Sequence, residues 1–235
     1  MMAGKLFLKN LCCCIIVSFF CASLFSQATS TFTIKAGEDI NEVYKQVFKY
    51  PEFRDGKVVF AYGTPAGGKM NYNLIIGKIQ FIDSKNDTLI IADEAAIKFI
   101  SIGADTFYYD NDKYVELLAN YGKVKVALQQ TIKFLNEKNI GAFGIPDATH
   151  NIDNYNTLRA NNTYALKVNK DLVYSKERKY YFSEGGDNFI IVNKKNLLKE
   201  FPHKKKFIEN YLKEKKIDFD TEADLKSLFG SLATN

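Results

Sequence analysis

Residues 57–92 read KVVFAYGTPAGGKMNYNLIIGKIQFIDSKNDTLIIA. Short apolar or alternating runs stand between small polar turns, and nothing of helical spacing separates them. KVVFAY at 57–62 predicts a strand and GTPAGG at 63–68 a loop. NYNLIIGKIQFID at 71–83 predicts one long strand, or two joined at Gly77. SKND at 84–87 is a turn, and TLIIA at 88–92 the next strand. Turns recurring at roughly 8–12 residues, with no helix between, favour antiparallel pairing over a βαβ layout.

The same rhythm extends both ways. TFTIKA at 31–36 alternates as a strand. Residues 38–48 predict a helix with Ile40, Val43, Tyr44 and Val47 on one face, and Asp39 supporting its first turn. Asp55-Gly56 predicts a turn. Beyond residue 92, strands are expected at 97–102, 106–109 and 114–118. Residues 123–135 alternate at Val124, Val126 and Leu128, then shift to helical spacing at Ile132 and Leu135, which predicts a strand followed by loop. Residues 139–162 form the longest expected loop, and strands at 163–168, 172–182 and 189–192 close the series around a Gly185-Gly186 hairpin.

From residue 194 the period changes. One helix is expected over 194–201, and a second has Pro202 in its first turn and runs to Lys216. A third is capped by Thr221 with Asp224 three residues on. The predicted fold is α+β, mainly antiparallel β (a meander, sandwich or open barrel) with a C-terminal helical tail. The β domain occupies 27–192 with one short N-terminal helix, and the tail occupies 193–235.

Residues 1–26 have a different character. Lys5 and Lys9 precede an apolar run from 11 to 25, followed by Ser26 and Ala28, the pattern of a cleavable secretory signal peptide. The run has about fifteen residues, short of the ~20 that span a bilayer. All four cysteines, Cys12, Cys13, Cys14 and Cys21, lie within it. A mature chain starting near Gln27 contains no cysteine, which excludes disulfides, thiolate metal sites and cysteine nucleophiles from it. The expected location is exported: periplasmic or outer-membrane-associated, or extracellular. No later stretch is long and apolar enough to span a membrane.

The SLFSQ end of the leader, then RDGKVVFAYG, NYNLIIGKIQFID and TLIIAD, and the tail KKNLLKEFPHKKKFIENYLKEKKIDFDTEADLKSLF together resemble uncharacterised exported proteins of Bacteroidota type. The resemblance covers most of the mature chain. It implies an extracytoplasmic location and brings no catalytic motif.

Several motifs invite chemistry. Gly63 to Lys69 satisfies the G-x4-G-K of a phosphate-binding loop. Met70 stands where a metal-binding Ser or Thr belongs, and a strand pattern follows where a helix should present its amides, so a hairpin loop is expected instead. Asp110, Asn111, Asp112 and Glu116 offer oxygens at calcium-like spacing, but Val115 occupies the position that needs Gly, which favours a solvated turn. His150 lies near Asp147 and Asp153 with no partner motif, and His203 stands on the basic helix. Paired carboxylates can hydrolyse glycosidic bonds without cysteine, histidine or metal, and Asp93, Glu94, Asp105 and Asp110 are available for it, as is every other surface acid. No catalytic, cofactor-binding or metal-binding residue is assigned from this pattern.

Charge is the clearest anomaly. Residues 27–193 hold 20 basic and 20 acidic side chains, whereas 194–216 holds nine Lys against three Glu. Lys204, Lys205, Lys206 and Lys213 are the candidate contacts to a polyanion, against the plainer reading of a solvated helix face. Nucleic acid is disfavoured by export and by the lack of an Arg cluster. The expected function is an extracytoplasmic, non-catalytic binding or interaction protein whose partner is an envelope protein or glycan. The alternatives are a carboxylate-based glycan hydrolase, and a peripheral envelope protein held by its basic helix.

Overall fold

The computed structural model describes residues 30–140, 146–147 and 171–234. The leader, His150 and the strand expected at 163–168 lie outside the described residues. The architecture is mainly antiparallel β with helices at the C-terminal end, as the alternation predicts. One sheet runs in the order β1 (Ser30–Ile34), β11 (Asp171–Glu184), β9 (Val124–Ile140), β8 (Lys113–Tyr121), β7 (Asp105–Asp110), β6 (Ile97–Ile102), β2 (Arg54–Phe60), β3 (Ala66–Asn73), β4 (Lys78–Ile82) and β5 (Thr88–Ile90). Two-residue strands add to it: β10 (Pro146–Asp147) on β9 and β12 (Ile190–Ile191) on β11. Helix α1 (Ile40–Val47) lies between β1 and β2. Helices α2 (Lys194–Glu200), α3 (Lys205–Lys215) and α4 (Glu222–Thr234) follow the last strand. Among the described residues no helix is long and apolar enough to cross a membrane.

The sheet curls on itself. The Ile132 amide on β9 donates to the Leu74 carbonyl in the β3–β4 turn, although four strands lie between β9 and β3 in the sheet order. Inside the curl lies the larger core, built from Val43 and Val47 of α1 with Ile34, Tyr72, Ile79, Ile100, Phe107, Tyr114, Ile132 and Tyr174. A second core uses the same face of β9 and β11 further along. Val126 and Phe182 are register partners there, and Leu197, Phe201, Ile208, Leu225, Leu228, Phe229 and Leu232 of the tail close over them. Side chains on a strand alternate between faces, so Val124, Val126, Leu128 and Ile132 all point one way and serve both cores.

Four local expectations are corrected. Asp55-Gly56 is not a turn but the interior of β2, pairing with Lys69 and Gly68 of β3. A Cβ on Gly56 would stand 2.8 Å from Met70 Sδ and 2.9 Å from the Ser101 carbonyl, so close strand approach explains the glycine. The 71–83 stretch is two strands joined through Gly77 (φ 66°), whose amide donates to the Asn73 carbonyl, but the turn already begins after Asn73, so LII at 74–76 is not strand. Asn73 Oδ1 accepts from the Ile75 and Ile76 amides and turns the chain there. The 123–135 segment is not strand then loop: from Val124 onward it is part of the 17-residue β9. The 63–68 loop is shorter than expected, because β3 begins at Ala66.

Candidate functional site

The four acids named for hydrolysis, Asp93, Glu94, Asp105 and Asp110, have separate surroundings. Asp105 and Asp110 stand at opposite ends of β7 and on alternate faces of it. Asp105 Oδ2 accepts from Tyr50 Oη at 2.6 Å. Asp110 Oδ2 is held by Lys113 Nζ at 2.8 Å and by the Phe189 amide at 3.1 Å. Asp93 adopts a left-handed backbone (φ 52°) immediately before the 3-10 turn Glu94–Ala96. The calcium-like quartet separates in the same way: Asp110 faces Lys113, Glu116 faces Lys49 at 2.6 Å and Asp112 faces Lys78. Asn111 and Asp112 have φ of 47° and 61°, the two-residue hairpin turn that right-twisted strands favour.

One cluster does bring two acids together. Lys78, at the start of β4, places its ammonium 2.6 Å from Glu94 Oε2 and 2.7 Å from Asp112 Oδ1. The two oxygens it bridges are therefore within about 5 Å of each other. Tyr109 Oη donates to the same Asp112 oxygen at 3.3 Å, and the Lys78 ammonium lies 5.3 Å from the Tyr109 ring centre. Glu94 is largely covered and Asp112 is exposed, so the pair spans the boundary between core and solvent. The hydrogen bond and charge of Lys78 hold the Asp112 carboxyl below its ordinary range. Burial alone would lower the Lys78 ammonium, but the hydrogen bonds to Asp112 and Glu94 outweigh it and hold it above its ordinary value. Burial first, then the charge of Glu94, pushes the Tyr114 phenol up. Sequence reasoning named Glu94 and Asp112 but missed Lys78, Tyr109 and Tyr114, because register rather than spacing brings them together.

The phosphate-loop pattern forms no phosphate cradle. Gly67 and Gly68 lie in β3, paired with Lys57 and Gly56, and Lys69 reaches Asp55 across the ladder at 2.9 Å. Extended backbone offers no converging helix-terminal amides.

On the tail, the four lysines separate into two kinds. Lys205, Lys206 and Lys213 are exposed. Lys204 is half-buried and donates to the Leu232 carbonyl near the end of α4. His203 is exposed in the 3-10 turn Pro202–Lys204. Thr221 opens α4, but its hydroxyl donates to Asp218 Oδ2 while Asp224 accepts the Asp218 amide, so the capping residues fasten the preceding loop. Comparison with protein-family models, curated proteins and solved structures finds no match to this chain.

Proposed function

We propose that the protein is an extracytoplasmic, non-catalytic binding or interaction protein. The observation that carries the reading is Lys78 placed between Glu94 and Asp112. Glycoside hydrolysis needs one carboxylic acid that keeps its proton while the other stays ionised. The Lys78 ammonium favours the charged form of Asp112, which is moved away from proton donation, not toward it. Asp105 and Asp110 are likewise engaged by internal donors. The pattern of the leader, with cysteines confined to it, supports the extracytoplasmic location.

The test is a hydrolysis assay on envelope polysaccharides, comparing the wild-type protein with Glu94→Gln. No release of reducing ends by either protein is expected. Release by the wild type that disappears in Glu94→Gln would replace the binding reading with the hydrolase.

A further inference from the structure

Resting on that binding reading, we infer that the protein's partner is a phosphate-bearing anionic membrane surface, contacted through the lysine face of α2 and α3. Lys194, Lys195, Lys205, Lys206, Lys213 and Lys216 are exposed, and among the described residues none of them forms an ion pair. Their neighbours Glu209 and Glu214 are exposed and unpaired as well, so they dilute the positive field without occupying the ammonium groups.

Helix geometry fixes the direction of Lys206 and Lys213. Ile208 is fully buried against the sheet. At 100° per residue, Lys206 and Lys213 project from the opposite side of α3. Leu197, Leu225, Leu228, Phe229 and Leu232, all buried, lock the three helices onto β9 and β11, so the lysines are carried on a docked unit. Lys204 does not belong to the contact, because its ammonium is already spent on the Leu232 carbonyl.

The chemistry favours a lipid surface over a discrete acidic pocket partner. Every basic residue of 194–216 apart from His203 is a lysine. Lysine is a compact, hydrated point charge that suits diffuse phosphate attraction, whereas arginine suits fixed bidentate contacts. Beside the N-terminus of α2, Ile191 is 43% exposed, and its carbonyl accepts from Asn196 Nδ2 at 2.9 Å. An apolar side chain flanking a basic face is the composition that interfacial contacts use.

Vesicle co-sedimentation tests this with the purified protein at physiological ionic strength. The probes are vesicles of phosphatidylcholine alone, and of phosphatidylcholine with phosphatidylglycerol. Sedimentation with the anionic vesicles only is expected, with release by added salt. Lys206→Glu/Lys213→Glu should weaken partitioning more than tenfold, on the basis of about fivefold for each lysine charge near such a surface. Lys85→Glu, an exposed lysine in the β4–β5 turn, should leave it unchanged. The variants share every other residue, so any contribution of the N-terminal apolar run cancels. Equal sedimentation with neutral vesicles, no sedimentation, or an unaltered double variant of wild-type stability would overturn the inference. So would release by inorganic phosphate at constant ionic strength, which points to a discrete pocket. None of these outcomes touches the non-catalytic reading, which the Glu94→Gln assay judges separately.

Discussion

Lys204 donates a hydrogen bond to the main-chain carbonyl of Leu232, 28 residues further along the chain. The bond joins the turn before α3 to the last turn of α4, where carbonyls lack helical partners and the helix dipole favours a cation. A lysine that looks like one of a solvated run is therefore a structural clasp. Lys204→Ala should cost about 1 kcal/mol of stability, while Lys205→Ala stays within about 0.5 kcal/mol. Urea denaturation of the two variants makes the comparison.

Tail docking rests on Ile208 more than on its aromatic neighbour. Ile208 is completely buried, whereas Phe207 is half-buried and packs against Tyr211 with the rings tilted and 5.6 Å between their centres. Ile208→Ala should lower stability by about 2–5 kcal/mol, with a smaller loss for Phe207→Ala. Thermal unfolding with α4 amide exchange as a second readout checks both the size and the order of the effects.

Gly56 and Gly67 should respond in opposite senses to alanine. Gly56 has Met70 Sδ and the Ser101 carbonyl where its Cβ would go, and overpacking there should cost about 1–3 kcal/mol. Gly67 meets only the Gly56 carbonyl at 3.7 Å, an ordinary contact. Gly67→Ala should leave stability unchanged or raise it by up to about 1 kcal/mol. Denaturation midpoints of the two variants decide the matter.

Asp112 should titrate below its ordinary value of 3.8, because Lys78 binds its charged form. A depressed folded-state value means that the contribution of this pair is fully present above the unfolded-state value. It is lost as pH falls through the folded-state value. Carboxyl NMR titration should show the low midpoint in the wild type and a return toward the ordinary range in Lys78→Met.

Local alternation made most of the sheet legible, and the exceptions have physical causes. Asp-Gly is a strong hairpin signal, yet at Asp55-Gly56 the glycine serves strand packing against Met70, a contact that appears only once β3 is in place. In β9, Leu135 is 53% exposed on the face opposite Ile132, and this outward leucine gave the segment its false helical spacing. LII at 74–76 looks like strand, but the Asn73 side chain takes the Ile75 and Ile76 amides and the Val47 carbonyl takes the Leu74 amide. The tail's apolar stripes were readable from period alone. Lys78 with Glu94 and Asp112, and Lys204 with Leu232, were not, because each pair joins residues that only the folded register brings together.

Saturation binding to isolated envelope material separates recognition from hydrolysis in one experiment. Bound protein and soluble glycan are followed over time in the same sample. Saturable, salt-reversible binding with no time-dependent release of glycan is expected. Glycan release that grows with time and is lost in Glu94→Gln, or a failure to bind at any concentration, would contradict it.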